Sequence, residues 1–115
     1  MRNGKGYYIM NKEIWDKLID FREKRNWGKY HTPEELARSL MIESAELNRL
    51  FQWGEDWQDK QTWPPHRVKL ITEELADIAI YLTYLCIEYG IDINQAIHDK
   101  IEKNAVKYPV DNIQK

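Results

Sequence analysis

Apolar residues recur every three to four positions in four separate segments of the chain. This period is typical of amphipathic helices, and no segment shows the alternation expected of a strand bounded by hairpin turns. The sequence therefore predicts an all-α fold, with four helices packed as a bundle. The predicted helices extend over about residues 11–26, 32–54, 68–89 and 92–108.

Helix boundaries are marked by residues that favour helix ends. Thr32 can cap the second helix, where Pro33 suits the first helical position and Glu35 completes a capping box. Gly54 and Gly90 are predicted to end the second and third helices, because glycine readily adopts the left-handed conformation that follows many helices. A chain of 115 residues is long enough for one domain and too short for two. We expect one helical domain at residues 11–110, an N-terminal arm at residues 1–10 and a C-terminal tail at residues 111–115.

Two pairs of acidic residues interrupt the apolar pattern. Glu43 and Glu46 lie three residues apart, so they project from one face of the second helix, and Glu43 occupies a position in its apolar seam. Glu74 and Asp77 form a similar pair in the third helix. Four carboxylates in such positions would repel each other unless a cation lay between them. The second pair is predicted to flank a central packing stripe of Val68, Ile71, Leu75, Ile78, Leu82, Leu85 and Tyr89.

The pairing of the two acidic motifs favours a metal site. A single Glu-x-x-Glu pair is most often part of a solvated helix surface, and the same chain could be a helical interaction module without metal. Ligands that are all carboxylates suit a hard cation such as Mg²⁺ or Mn²⁺, and Mg²⁺ in proteins is usually also bound by substrate phosphates. The pattern therefore points to a phosphorylated substrate. A di-iron bundle is less consistent with the sequence, because no histidine follows a glutamate by three residues.

Composition and charge argue against several other functions. Hydrophobic residues make up 43% of the chain and charged residues 31%, which is a globular composition. The net charge of −2 lacks the basic character of proteins that bind nucleic acid polymers, so no such partner is expected. Cys86 is the only cysteine, so no disulfide forms within the chain, and no apolar segment approaches the ~20 residues of a membrane span. We expect a soluble cytoplasmic protein without a membrane partner.

Aromatic and polar residues near the acids have structural as well as functional interpretations. From composition alone, Trp27 and Trp53 favour the core, and His31 favours a surface or capping position. Tyr81 follows Asp77 by one helical turn, so it could serve in packing, or its hydroxyl could reach the region of the acids.

The chain resembles a known family over about residues 14–110. The motifs that carry the resemblance are Glu-x-x-Glu at residues 43–46 and Glu-x-x-Asp at residues 74–77, in order with FQW at 51–53, WPP at 63–65 and KYPV at 107–110. Together they are similar to those of the MazG-like nucleotide pyrophosphohydrolases in the all-α NTP pyrophosphatase superfamily, and most of all to the single-domain dCTP pyrophosphatase branch.

The resemblance implies hydrolysis of (deoxy)nucleoside triphosphates to the monophosphate and pyrophosphate, with Mg²⁺ as cofactor, a preference for dCTP and a role in nucleotide pool house-cleaning. It also implies a homodimer or a homotetramer (a dimer of dimers), in which a neighbouring subunit completes each active site. Leu18 falls where some relatives carry a polar residue near the base, so the preferred base stays open. By position, the implied metal ligands are Glu43, Glu46, Glu74 and Asp77, and the implied nucleotide-binding residues are Trp27, His31, Trp53, Tyr81, Lys100, Asn104 and Tyr108.

Our mechanistic hypothesis is that Glu46, with Glu43 beside it, orients or deprotonates the water that attacks the α-phosphate. The alternatives within the same enzyme class are a dUTP or broad NTP pyrophosphatase and, more remotely, a phosphoribosyl-ATP pyrophosphohydrolase.

Overall fold

A computed structural model describes residues 11–52 and 63–113, and most of these residues are helical. Four long helices are present, as the sequence predicts: α1 (Lys12–Lys24), α2 (Pro33–Arg49), α3 (Pro65–Tyr89) and α4 (Ile93–Lys107). A 3-10 turn (Gly28–Tyr30) precedes α2, and one further turn, α5 (Val110–Ile113), lies where a tail was expected. The described ranges contain no strand, so the all-α prediction is confirmed. The predicted arm, Trp53 and Gly54 lie outside the described residues.

Three of the long helices begin at side-chain caps. In each case an oxygen of the cap side chain accepts a hydrogen bond from the backbone N–H three residues later, which pairs a donor that the helix itself leaves unpaired. The pairs are Asn11 with Ile14 at 2.9 Å, Thr32 with Glu35 at 3.2 Å, and Asp92 with Gln95 at 3.2 Å.

Two helices end in a left-handed residue, as the pattern for α3 predicts. Gly90 has φ 63° and begins the connection to α4. At the end of α1 the left-handed residue is Asn26, with φ 55°, and Gly28 lies in the 3-10 turn that follows. Both ends have the Schellman pattern of hydrogen bonds, which pairs carbonyls that the last helical turn leaves free. The α2 helix ends at Arg49, earlier than expected, in a short series of turns that bond back three residues.

The main packing interface of the chain joins α2 to α3, and α1 packs against α3 less extensively. On α2 the predicted apolar seam is confirmed, because Leu36 is fully buried and the remaining seam positions are half-buried: Leu40, Glu43, Leu47 and Leu50. Glu43 is one of these half-buried positions. The α2–α3 interface therefore holds a carboxylate among hydrocarbon side chains.

The predicted stripe of α3 is partly wrong. Leu75 is 50% exposed, and Val68 and Tyr89 are exposed as well, while Glu74 is half-buried. The other predicted positions are half-buried: Ile71, Ile78, Leu82 and Leu85. The packed face of α3 therefore includes Glu74 and excludes Leu75, because the position of α2 decides which neighbouring residues are covered.

The fully buried residues of α3 lie near its C-terminal end: Thr83, Tyr84 and Cys86. Cys86 is therefore a core residue. Apolar residues of α4, in contrast, remain exposed, among them Ile101 and Val106. None of the described helices has the length and apolar character needed to cross a membrane.

Candidate active site

Three of the four predicted acidic ligands come together where α2 faces α3. Glu43 of α2 and Glu74 and Asp77 of α3 each offer a carboxylate oxygen, and these three oxygens lie within 4.8 Å of one another. The spacing of three residues places Glu74 and Asp77 on one face of α3, and the seam position of Glu43 directs it to the same interface. The antiparallel pairing of two amphipathic helices thus builds the cluster.

The electrostatics of this acidic cluster favour a cation. Burial raises the pKa of Glu43 above its ordinary value of 4.5, and a hydrogen bond with Glu74 and the neighbouring carboxylates raise it further. Oε1 of Glu74 is buried and has no hydrogen-bond partner among the described residues. Within that part of the chain no ion pair involves any of the three acids. A hard divalent cation fits such a set of oxygen donors and would remove the repulsion.

Glu46, the fourth predicted acid, lies outside this group. Its side chain is 46% exposed, and its carboxylate is 3.8 Å from the guanidinium of Arg49. It is one turn beyond Glu43 on α2 and faces solvent beside the cluster. Its predicted roles as ligand and base stay predictions.

A pocket of about 210 Å³ adjoins the acidic cluster, because Asp77 belongs to both. This volume is below the ~300–1,000 Å³ of pockets that enclose a drug-sized ligand, so it suits one part of a larger ligand. Most of the lining is apolar or aromatic. The lining residues are Leu18, Phe21, Trp27, His31, Asp77, Ile80, Tyr81 and Tyr84.

Aromatic rings along one wall of the pocket contact one another in sequence. The ring centroids of Phe21 and Trp27 are 5.6 Å apart, those of Trp27 and His31 are 6.4 Å apart, and those of His31 and Tyr84 are 4.9 Å apart. Burial and the nearby cation of Arg22 lower the pKa of His31 below 6.5, against the opposite effect of Glu88. His31 therefore presents a neutral ring near pH 7, and its buried Nδ1 has no hydrogen-bond partner among the described residues.

The predicted nucleotide-binding residues fall into three groups. Trp27, His31 and Tyr81 all line the pocket, and Trp53 lies outside the described residues. The remaining three are exposed in or just after α4, and none of them is among the lining residues: Lys100, Asn104 and Tyr108.

Sequence reasoning missed Phe21, Ile80 and Tyr84 as parts of the pocket. For Tyr84 a signal was present, because Asp77, Tyr81 and Tyr84 are spaced by four and then three residues and so share one face of α3. No comparable signal marked Phe21, since α1 lies far from α3 in sequence. Leu18, which the resemblance places near the base, also lines the pocket.

Proteins named dCTP pyrophosphatase 1 are similar to most of this chain. The dCTP pyrophosphatase 1 of Mus musculus is 38% identical over 92 residues, which are 79% of this chain and 54% of that protein. The Homo sapiens protein of the same name is 35% identical over 91 residues, with 78% and 54% covered. The chain thus spans about half the length of these relatives.

Fold and family comparisons agree with each other. A solved structure of a pyrophosphatase from Archaeoglobus fulgidus superimposes with a TM-score of 0.80 at 40% sequence identity, and the match covers 94% of this chain and 99% of that one. The model of the MazG-like family matches residues 38–115, which is more than half of the chain and includes all four acids. On this evidence of sequence and fold, the chain belongs to the MazG-like family.

Proposed function

We propose that the protein is a nucleoside triphosphate pyrophosphohydrolase that releases pyrophosphate and the monophosphate, with dCTP as its preferred substrate. The observation that carries this proposal is the direct contact between the acidic cluster and the aromatic pocket through Asp77. A metal site next to a ring-lined pocket suits a ligand with phosphates at one end and a base at the other. Relatives named dCTP pyrophosphatase and pyrophosphatase support the same reaction class.

Glu43, Glu74 and Asp77 would hold the metal, for which Mg²⁺ is the first choice and Mn²⁺ the second. When bound, the cation would neutralise charge on the triphosphate and favour deprotonation of the attacking water. Glu43 must lose its proton before it can act as a ligand, so its raised pKa opposes metal binding in acid.

Glu46 is assigned to the attacking water, with Glu43 beside it. Its half-exposed carboxylate lies next to the cluster, 3.8 Å from the guanidinium of Arg49, and would accept a proton from a water that attacks the α-phosphate. Pyrophosphate then leaves. Trp27, His31 and Tyr81 would enclose the base, because their rings line the pocket.

A homodimer or homotetramer is part of the proposal. Apolar side chains are exposed on several helices, for instance Met41, Leu75 and Val106, and exposed apolar surface of this extent is typical of interfaces between subunits. Lys100 and Asn104 would then reach the active site of a neighbouring subunit, together with Tyr108. Light scattering coupled to size exclusion measures the assembly, and a monomer at micromolar concentration would contradict this part.

A nucleotide panel with Mg²⁺ tests the proposed reaction, with pyrophosphate and phosphate measured separately. Hydrolysis of dCTP to dCMP and pyrophosphate is expected. Preference for dUTP, equal use of many triphosphates, or turnover of phosphoribosyl-ATP would each redirect the substrate assignment. An absence of turnover with every nucleotide would favour an interaction module.

The variant Glu46→Gln tests the assignment of the base. We expect it to lose nearly all turnover and to keep its fold, because the change removes a proton acceptor from a half-exposed position. Glu34→Gln is the matched control, since Glu34 is exposed at the start of the same helix. Wild-type turnover by Glu46→Gln would show that another group activates the water.

A further inference from the structure

Tyr84 is one of the few buried side chains in the described part of the chain, with 3% of its surface exposed, and it lines the pocket. Its hydroxyl donates a hydrogen bond of 3.0 Å to the backbone carbonyl of Leu18. The ring is therefore tied to α1 at its outer end, while its backbone belongs to α3. A side chain with both ends held has little freedom to move aside for a ligand.

A partly buried ion pair also contacts this ring. The guanidinium carbon of Arg22 lies 4.9 Å from the ring centroid of Tyr84, and the same guanidinium is 3.0 Å from the carboxylate of Glu88. Arg22 is only 12% exposed, which strengthens the attraction between a cation and a ring. Arg22, Tyr84 and Glu88 thus form a rigid group between α1 and α3.

His31 depends on this group for its orientation. The imidazole lies against the Tyr84 ring at 4.9 Å between centroids, and its buried Nδ1 has no hydrogen-bond partner in the described residues. Contacts with rings are therefore what orient it, and Tyr84 is nearer than Trp27, which is 6.4 Å away. Loss of the Tyr84 ring would leave His31 free to turn.

The position of Tyr84 along α3 places it far from the acids. It follows Asp77 by seven residues, or about 10 Å along the helix axis. A ligand with phosphates at the acidic cluster would extend its base toward Tyr84. Because the ring is held in place, it limits how deep a base can enter a pocket of about 210 Å³.

We propose that Tyr84 is a specificity-determining and positioning residue of the pocket: its ring forms the inner wall that admits a one-ring pyrimidine in preference to a two-ring purine, and holds His31 in place. This inference rests on the proposed nucleotide function. It adds to that function a residue, Tyr84, that would select the nucleotide by the size of its base.

The first test is the ratio of kcat/KM for dGTP to that for dCTP, in the wild type and in Tyr84→Leu. We expect the ratio to rise at least roughly tenfold in Tyr84→Leu, a change within the range that pocket size alone can produce. Tyr84→Phe keeps the ring and its contact with Arg22 but loses the hydrogen bond to Leu18, so the ratio should rise less than in Tyr84→Leu. Since both substrates are measured in one preparation, a loss of folded protein cancels. An unchanged ratio in Tyr84→Leu overturns the proposal.

Cys86→Ala is the matched control. Cys86 is as buried as Tyr84 and lies on the same helix, but it is not among the residues that line the pocket. Its truncation should leave the ratio unchanged. A rise equal to that of Tyr84→Leu would mean that general loosening of α3 changes the specificity, and would contradict the role given to Tyr84.

The second test does not depend on turnover. Proton NMR of the imidazoles detects the Tyr84 ring through its ring current, which shifts the resonances of protons as near as those of His31. In Tyr84→Leu these resonances should shift, and those of His66 and His98 should stay in place. Unchanged His31 resonances would overturn the positioning role.

Titration with dCMP and dGMP, followed by the same His31 resonances, separates this inference from the proposed reaction. A wild type that hydrolyses no triphosphate would refute the reaction. The inference fails instead if dGMP and dCMP bind Tyr84→Leu with the affinity ratio of the wild type. A lower relative affinity for dCMP in Tyr84→Leu supports it.

Discussion

Two groups of charged side chains lie along α3, and they differ in how their charge is balanced. At one, Glu43, Glu74 and Asp77 bring three carboxylate oxygens within 4.8 Å without a cation from the described chain. At the other, Arg22 and Glu88 form an ion pair of 3.0 Å. The first group has charges of one sign only, and the second is neutral as a pair.

The difference indicates which group stabilises the fold by itself and which one could hold a cation. A partly buried pair of opposite charge compensates much of its own desolvation, and here it also joins α1 to α3. Carboxylates that face one another raise the energy of the folded chain until a proton or a cation arrives. Binding of Mg²⁺ at the acidic cluster is therefore expected to stabilise the fold. Mutation of either Arg22 or Glu88 is expected to destabilise it.

The largest effect is expected for Glu74→Gln. We expect kcat/KM to fall at least about 100-fold, which corresponds to roughly 3 kcal/mol of transition-state stabilisation, because the variant would lose one of the proposed metal ligands. The melting temperature without metal should be equal or higher, since one like charge is removed. Steady-state kinetics and a thermal melt measure both.

Glu73→Gln is the control for this change, because Glu73 is the exposed neighbour of Glu74 on the same helix. It should retain wild-type kinetics. If Glu74→Gln also did so, the acidic cluster would not be the catalytic metal site.

The second effect is stabilisation by Mg²⁺ and its dependence on pH. At 100 times the Kd, Mg²⁺ should stabilise the fold by about 2.7 kcal/mol. Because the pKa of Glu43 is raised, this group stabilises the metal-free fold fully below its ordinary value of 4.5 and loses that contribution as the pH rises through the raised pKa. Metal binding needs the deprotonated carboxylate of Glu43, so the stabilisation by Mg²⁺ should grow from acid toward neutral pH.

Thermal melts with and without Mg²⁺ between pH 4.5 and 7.5 measure this increment. In Glu43→Gln the increment should be small at every pH. A wild-type increment that does not change with pH would contradict the coupling between the Glu43 proton and the metal.

A smaller effect is expected for Arg22→Ala, which breaks the neutral pair. The loss should be about 1–3 kcal/mol in urea unfolding, between the values for exposed and fully buried pairs, because Glu88 is one third exposed. The double variant with Glu88→Gln should lose less than the sum of the single changes. Additive losses would mean that the two residues do not stabilise each other. The stabilisation by Mg²⁺ should be the same in the wild type, in both single variants and in the double variant.

The smallest effect is expected for Lys12→Ala. Lys12 forms an ion pair of 2.8 Å with Asp16, but the two side chains are 86% and 57% exposed. Exposed pairs of this kind contribute at most about 0.5 kcal/mol. A loss in urea unfolding as large as that of Arg22→Ala would show that burial is not what distinguishes the two pairs.

The sequence by itself determined the helices, their caps and the acidic motifs. Each depends on short-range chemistry: the period of apolar residues, the hydrogen bond of a cap such as Thr32, and the three-residue spacing of Glu74 and Asp77. The family resemblance added the expected reaction and the pocket residues Trp27 and His31. These predictions needed no knowledge of how the helices pack.

Only the tertiary structure decided which residues of different helices meet. On α3 the position of α2 covers Glu74 and leaves Leu75, the next residue in sequence, half exposed. Tyr84 became a wall of the pocket because α1 supplies the carbonyl of Leu18 from 66 residues away. Contacts over such distances depend on the angle and register between helices, which local patterns do not encode.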